Sequence, residues 1–117
     1  MQKFTTFTEK TIDINHINLD TELMYISENG KQIGSLFLCV SEGKASIFSL
    51  IILEKHRGKG YSKKLMNSAI ERAREKGCKL MELNTETTNE VANKLYKGMG
   101  FELKGLLDDF NNYQLII

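Results

Sequence analysis

The sequence of 117 residues has no proline, only two cysteines and a net charge of +1. The near-neutral charge gives the molecule no strong electrostatic attraction to nucleic acid or membrane, so any basic site must be local. No apolar run approaches the length of a membrane span. The first residues also lack the basic region followed by an apolar stretch that marks a signal peptide. Together these absences predict a cytoplasmic protein.

The two cysteines, Cys39 and Cys78, lie in separate apolar runs, which favours reduced and buried thiols. Neither has the features of a nucleophile, because a reactive thiolate needs a base or a cationic setting close by. His16 and His56 are far apart, and no spacing of cysteine and histidine indicates zinc. The sequence therefore predicts no metal site.

The length and composition are those of one globular domain. A chain of 117 residues suffices for one modest core but not for two. Apolar residues make up 41% and charged residues 26%, which is ordinary for a globular protein. Because the chain has no repeat and no linker, we predict a single domain over residues 1–117.

The first half of the chain has the pattern of strands and hairpins. Residues 28–31 include Asn-Gly, a pair that accepts positive φ, and they should join strands at 23–27 and 32–40. Residues 41–44 form a second turn, and the apolar, β-branched residues 45–53 predict a central strand. Residues 4–20 show a mostly alternating pattern that favours a strand over a helix. The alternating residues are Ile12, Ile14, Ile17 and Leu19.

The second half predicts two helices. A helix should follow residue 62 and end near Gly77, and residues 79–84 should return as a parallel strand. Thr87 and Glu90 have the spacing of a capping box, so a second helix should begin there and end at Gly100. Residues 101–104 and 113–117 predict a closing pair of strands. Apolar residues recur at helical spacing in the first helix, and they are Leu65, Met66, Ala69, Ile70 and Ala73.

A glycine-rich segment, residues 57–62, separates the central strand from the first helix. Its two glycines allow a tight turn that points several backbone N–H groups at one place. The helix adds the positive end of its dipole, which makes the segment an anion site suited to a pyrophosphate. A basic surface turn explains the same residues equally well, since neither known nucleotide-binding glycine motif is complete. The positive residues in and beside this segment are Lys55, Arg57, Lys59, Lys63 and Lys64.

Residues 50–101 resemble the GCN5-related N-acetyltransferase (GNAT) family. The pyrophosphate signature of the family is Arg or Gln, two residues, Gly, one residue, and Gly or Ala. This chain has Arg57, Gly60 and Ser62 at those positions, with a small serine in the last. The resemblance implies a GNAT-like α/β fold with a mixed sheet of about six or seven strands, two main helices and a shortened N-terminal region. A second family pattern is matched by Asn89, Ala92, Leu95, Tyr96, Gly100 and Phe101.

The resemblance implies that acetyl-CoA is bound as the acetyl donor. The end of the central strand would pair with the pantetheine arm, and the backbone amides of the loop would hold the pyrophosphate. An amide N–H near Ile51 or Ile52 would polarise the thioester carbonyl. The implied cofactor-binding residues are Leu50, Ile51, Ile52, Arg57, Gly58, Lys59, Gly60, Tyr61, Ser62, Lys63 and Asn89.

Tyr96 is the implied catalytic acid, because the CoA thiolate must be protonated as it leaves and a phenol can donate that proton. Tyr96 also shares the apolar face of its helix with Val91 and Ala92, so a core tyrosine is the alternative. Asn89 likewise has two interpretations, a pantetheine contact and a residue that starts a helix. We take the catalytic role and the ligand role as predictions.

The sequence does not identify the general base that must deprotonate the amine. Family members that acetylate protein N-termini have a glutamate where this chain has Asn84, and an amide cannot take the proton. Glu82 and Glu86 lie close by, but a solvated surface glutamate explains each of them as well. His56 is expected to pack beside the loop.

The N-terminal region is shorter than in most of the family, whose members have one or two helices that form much of the acceptor pocket. The acceptor site is therefore expected to be small, open or completed by another chain. The N-terminal strand region is a candidate surface for a homodimer. Asp108 and Asp109 would attract a cationic amine, although a solvated acidic turn also explains them.

The predicted function is transfer of an acetyl group from acetyl-CoA to an amine of a small molecule or protein, by direct attack in a ternary complex. The alternative is a domain of the same fold that binds acetyl-CoA without turnover, as a sensor or partner subunit. Nucleic-acid binding through the basic cluster is disfavoured by the low net charge and the lack of interleaved aromatic residues.

Overall fold

The computed structural model describes the backbone of residues 2–5, 11–17 and 21–117, and the side chains of residues 12–15 and 21–117. These residues form one eight-stranded sheet and two α-helices, with a short 3-10 helix at Glu54–His56. The strands are β1 (Gln2–Thr5), β2 (Thr11–Ile17), β3 (Glu22–Glu28), β4 (Lys31–Ser41), β5 (Lys44–Ile52), β6 (Leu80–Glu86), β7 (Glu102–Leu107) and β8 (Phe110–Ile116). The helices are α1 (Tyr61–Glu75) and α2 (Glu90–Gly98).

The predicted α/β class with a mixed sheet and two main helices is confirmed. The strand order is β1-β2-β3-β4-β5-β6-β8-β7, and β5–β6 is the parallel pair. The sheet exceeds the predicted six or seven strands because Gln2–Thr5, which has no alternating pattern, pairs with β2 as an edge strand. The closing strands are also longer than predicted, since they meet at a tight turn where Asp108 has a φ of 53°.

Both α-helices pack on the same face of the sheet. Arg72 of α1 bonds to Glu22 on β3, and Tyr96 of α2 packs against Tyr113 on β8. Residues directly opposite each other on neighbouring strands share a face. The row of opposite residues from β3 to β8 is Glu22, Leu38, Ile47, Leu83 and Tyr113. In the described part of the chain, the other face therefore carries no α-helix, and we call it the open face.

The core lies between the two helices and the face of the sheet on which they pack. The predicted apolar stripe of α1 is confirmed, because Leu65, Met66, Ala69 and Ala73 are fully buried. The helix ends where Gly77 takes a φ of 82°. Both cysteines are free thiols, with Cys78 buried in the connection from α1 to β6 and Cys39 half-buried in β4. No helix among the described residues is long and apolar enough to span a membrane.

The start of α2 differs from the prediction. The predicted capping box of Thr87 and Glu90 is wrong, because the N-cap is Asn89, whose Oδ1 accepts a hydrogen bond from the Ala92 N–H at 3.1 Å. The N–H of Thr87 instead donates to the carbonyl of Asp109 at 2.8 Å. This bond holds Thr87 against the closing turn, and the N-cap lies two residues later than expected.

A buried carboxylate joins β3 to α1. The side chain of Glu22 is almost fully buried, and it accepts from Arg72 Nε at 2.8 Å and pairs with Lys76 Nζ at 3.2 Å. Burial alone would raise the pKa of Glu22. The hydrogen bonds from Arg72 and Lys76 together outweigh burial and hold the pKa below its ordinary value of 4.5. The pair therefore stabilises the fold when Glu22 is ionised.

Glu22→Gln is expected to lower the free energy of unfolding by about 2 kcal/mol at pH 7, because Arg72 and Lys76 lose their buried partner. Because the pKa of Glu22 is lower in the folded than in the unfolded chain, this stabilisation is present above about pH 4.5 and is lost as the pH falls through the folded pKa. Urea unfolding at pH 7 and pH 3 measures the loss of stability and its dependence on pH. Glu75→Gln is the control, because Glu75 also pairs with Arg72 but is 66% exposed and should matter little. Equal losses for both variants would contradict the prediction.

Candidate functional site

Strands β5 and β6 separate partway along their length. They pair from Lys44–Leu80 to Ile47–Leu83, and beyond that point no pairing joins them, although β5 continues to Ile52 and β6 to Glu86. The cause is an irregularity in β5, where Ser49 takes a φ of 53° and the register with β4 shifts. Such a bulge increases local twist and ends pairing. The backbone of β5 after Ile47 therefore faces a gap between the strands.

The predicted pantetheine segment, residues 50–52, borders this gap. Leu50 packs against the core, Ile51 is exposed, and Ile52 is buried. The carbonyl of Ile52 accepts a hydrogen bond from Arg57 Nε at 2.8 Å. Arg57 thus ties the start of the glycine-rich loop to the end of β5, a structural contact that the sequence did not indicate.

The glycine-rich loop ends at an uncapped helix. Gly58 and Gly60 adopt φ of 77° and 80°, and a side-chain carbon at either position would meet no atom within 4 Å. Gly60 is the N-cap of α1, so no side chain accepts from the first N–H groups, and the first turn has no acidic residue. Free N–H groups at a helix start bind anions. Lys59 and Lys63 are exposed here, and Ser62 is half-buried.

Tyr61 is fixed by contacts to the β3–β4 hairpin. Its side chain is buried, and its hydroxyl donates to Glu28 Oε2 at 2.6 Å. His56 Nδ1 lies 3.9 Å from the same oxygen, so His56 packs beside the loop. The hydrogen bond to Glu28 raises the pKa of Tyr61 to about 12, with burial adding to the effect. The hairpin therefore anchors the end of the loop at Tyr61.

Tyr61→Phe is expected to lower the free energy of unfolding by about 1.5 kcal/mol, because Glu28 loses a charge-assisted hydrogen bond. Urea unfolding measures this effect. A double-mutant cycle with Glu28→Gln isolates the pair, and its coupling energy should exceed roughly 1 kcal/mol. Additive effects of the two substitutions would contradict the proposed anchor.

A groove of about 300 Å³ lies between the first turn of α1 and the outer side of α2. Its apolar surface comes from α2, and a lysine stands on each of the two helices. A ligand with both apolar and anionic parts fits this lining. The lining residues are Lys63, Val91, Lys94, Leu95, Gly98 and Met99.

Tyr96 lies on the inner side of α2, and only 5% of its surface is exposed. Its ring meets Phe101 at 5.8 Å and Tyr113 at 5.9 Å between centroids. Tyr113 lies on β8 opposite Leu83, the last β6 residue paired with β5, so Tyr96 packs on β8 at the level where β5 and β6 separate. Burial raises the pKa of Tyr96 to about 12, so its hydroxyl keeps its proton at neutral pH. The environment suits a proton donor and a core tyrosine alike.

Asn93 is a buried residue that the sequence analysis did not single out. Its Nδ2 donates to the carbonyls of Glu86 and Asn89 at 3.0 and 2.8 Å. Its Oδ1 accepts from Tyr113 Oη at 2.6 Å and from Asn111 Nδ2 at 2.9 Å. These bonds tie α2 to the ends of β6 and β8. The available signal was a polar amide between Ala92 and Tyr96 on the buried side of the helix.

The polar side chains of β6 lie on the open face. Glu82 Oε1 pairs with Lys44 Nζ at 2.9 Å, and Asn84 Oδ1 accepts from Asn112 Nδ2 at 2.9 Å. Glu86 is exposed at the end of the strand. Of the two glutamates considered as a base, Glu82 is thus held by a lysine at the paired end of β6, and Glu86 lies beside the gap. No cluster of three metal-binding side chains occurs among the described residues.

Comparisons with known proteins agree with this architecture. Residues 3–101 match the sequence model of the Acetyltransferase (GNAT) family. N-acetyltransferase 8F1 of Rattus norvegicus is 28% identical over 88 residues, which are 69% of this chain and 40% of that protein. The chain therefore spans well under half the length of this curated relative.

Two solved structures share the fold. The PaiA N-acetyltransferase of Thermoplasma acidophilum, in complex with coenzyme A, aligns with a TM-score of 0.82 at 21% identity, covering 86% of this chain and 63% of that one. A Bacillus subtilis acetyltransferase in complex with CoA aligns with a TM-score of 0.82 at 15% identity, covering 91% of this chain and 99% of that one. The GNAT-like fold is thereby confirmed.

Proposed function

The chain belongs to the acetyltransferase (GNAT) family, and from that premise we propose that it transfers an acetyl group from acetyl-CoA to an amine of a small molecule or protein. The observation that carries the proposal is the gap between β5 and β6, which adjoins the uncapped start of α1. Unpaired backbone groups of β5 would then lie next to a helix start that suits an anion. Two structural neighbours of the same fold hold CoA, which supports the same cofactor here.

The donor would be held by backbone groups along β5 and the loop. The N–H groups of residues 58–63 belong to the loop and the uncapped first turn of α1, and they would bind the pyrophosphate. Residues 50–52 would pair with the pantetheine arm. Asn89 uses its Oδ1 as a helix cap, so its amide nitrogen is the group left to contact pantetheine. The lysines of the groove would pair with remaining phosphate charge.

The proposed reaction is direct attack of a neutral amine on the thioester, in which a C–N bond forms as the C–S bond breaks. A backbone N–H near Ile51 or Ile52 stabilises the negative charge on the carbonyl oxygen. Tyr96 gives its proton to the departing sulfur, which suits a hydroxyl that stays protonated at neutral pH. Glu86, on the part of β6 that no longer pairs with β5, is the carboxylate that would accept the proton of the amine.

A second candidate function is acetyl-CoA binding without turnover. It is favoured by the deep burial of Tyr96 between two aromatic rings and by Asn84 at the position of a family glutamate. In this case the chain would bind acetyl-CoA and release no free CoA with any amine.

We further propose that it acts in the cytoplasm as one unit over residues 1–117. The edge strand β1 is the candidate surface for a homodimer.

Gly60→Trp is expected to weaken acetyl-CoA binding by about thirtyfold or more, because a bulky side chain at the helix start blocks the approach of the pyrophosphate to the backbone amides. Isothermal calorimetry with acetyl-CoA measures the change. Gly43→Trp is the control, since Gly43 also has a positive φ and open space around it but lies at the β4–β5 turn. If the folded wild-type chain does not bind acetyl-CoA, the proposed function is wrong.

A further inference from the structure

The open face of the sheet carries an apolar wall at the gap. Leu23, Phe37 and Phe48 lie opposite one another on β3, β4 and β5. The irregularity after Phe48 returns Ile51 to the same face, opposite Ser35. Phe48 is 52% exposed and Ile51 54% exposed. Two large apolar side chains of β5 therefore stand at the edge of the gap without cover from the described part of the chain.

The opposite wall of the gap is polar and negative. In the parallel register, Ser46 lies beside Glu82, so Asn84 and Glu86 follow on the same face where β6 leaves β5. Asn84 is oriented by its bond to Asn112. None of the ion pairs formed by the described residues involves Glu86, so its charge is uncompensated. One wall thus offers apolar surface, and the other offers a carboxylate and an amide.

The two sides of the sheet would serve different ligands. The groove between α1 and α2 lies on the helix face, whereas Phe48, Ile51 and Glu86 lie on the open face. A donor held in the groove and in the gap would present its acetyl end toward the open face. This step rests on the proposed function, because it takes the gap as the route of the pantetheine arm.

We propose that the cleft between Phe48 and Glu86 binds the acceptor, and that the acceptor is a small primary amine carried on an apolar or aromatic body. Glu86 attracts the ammonium group, and Asn84 lies beside it as a polar neighbour. Phe48, Ile51 and Phe37 cover the apolar body. A polar amine would leave these side chains in water, and an anionic acceptor would be repelled by Glu86.

Binding of two cationic amines to the CoA-loaded protein tests this inference. Calorimetry should show that 2-phenylethylamine binds about tenfold tighter than ethanolamine, from burial of the phenyl ring. Phe48→Ser should reduce this preference to less than about threefold and leave acetyl-CoA affinity unchanged. Ile116→Ser is the matched control, because Ile116 is 86% exposed on the same face at the far end of β8 and should keep the preference. Glu86→Gln should weaken both amines alike.

Equal affinity for the two amines would overturn the inference, as would a preference that survives Phe48→Ser. A peptide beginning with phenylalanine that binds more tightly than 2-phenylethylamine would overturn the restriction to a small amine. Failure of the proposed function can be distinguished from failure of this inference, because calorimetry would then show no binding of acetyl-CoA. In that event the same titrations on the unloaded protein still decide whether the cleft prefers the apolar amine.

Discussion

Gly34→Ala is expected to lower the free energy of unfolding by about 3 kcal/mol, which shifts the folding equilibrium roughly a hundredfold. Gly34 is buried in β4, directly opposite Ile52. A methyl group here would collide with Ile52 Cδ1, lie 2.7 Å from the carbonyl oxygen of Ile51 and lie 3.1 Å from Ile26 Cγ2. The carbonyl belongs to the backbone, so it cannot move without displacing β5.

The control for this prediction is Gly105→Ala. Gly105 also lies in a strand, β7, but a side-chain carbon there meets no atom within 4 Å. Alanine should therefore be neutral or slightly stabilising, since it reduces the entropy of the unfolded chain. Urea unfolding of the two variants measures the difference. Equal unfolding midpoints would mean that β5 moves aside at little cost.

The collision at Gly34 also has a functional consequence. The backbone that must shift is that of Ile51 and Ile52, the segment proposed to pair with pantetheine. At temperatures where the variant remains folded, its acetyl-CoA affinity should fall as well. Gly34 thus lets β4 and β5 approach closely where β5 is turning away from β6. The sequence offered no signal for this role, because one glycine in a strand does not reveal what lies across from it.

The parts of the fold that follow local rules could be predicted from the sequence. The β3–β4 hairpin follows from Asn29 and Gly30, which adopt the positive φ expected of them. The stripe of α1 follows from helical spacing, and Gly77 ends the helix as expected. The glycine-rich loop lies between strand and helix, where its composition placed it. Each of these features depends on residues that are close in the chain.

Features that depend on distant residues could not be predicted in this way. Tyr61 reaches Glu28 across 33 positions, and Arg72 reaches Glu22 across 50. Neither pair has a sequence pattern, although one anchors the loop and the other attaches α1 to the sheet. The wrong capping box at Thr87 has the same origin. A contact to Asp109 in the closing turn decides the conformation of Thr87, and local spacing does not report it.

The candidate site also combines features that local motifs predict with features that depend on distant residues. The loop at residues 57–62 and the position of Tyr96 follow from motifs, whereas the gap depends on the irregular backbone at Ser49. The network of Asn93, which holds α2 against β6 and β8, also depends on distant partners. Motifs therefore indicated the groups for which we propose a chemical role. The contacts that hold those groups in place appear only when the strands are assembled.

Tyr96→Phe is expected to lower kcat by about 10² to 10⁴ while acetyl-CoA affinity stays within about twofold. Burial raises the pKa of Tyr96 to about 12, so the hydroxyl is protonated throughout the usual assay range. Its loss should therefore lower the rate at every pH between about 6 and 9 by a similar factor. Free CoA release, with the fastest amine of a panel as acceptor, measures this effect.

Tyr113→Phe distinguishes a catalytic hydroxyl from a structural one. Tyr113 is also buried, and its ring lies 5.9 Å from that of Tyr96, but its hydroxyl donates to Asn93. Removing it should cost about 1 kcal/mol of stability and leave kcat nearly unchanged. If Tyr96→Phe behaves in the same way as Tyr113→Phe, Tyr96 is a core residue. The proton for the thiolate would then come from water, and binding without turnover would gain support if the wild type also released no CoA.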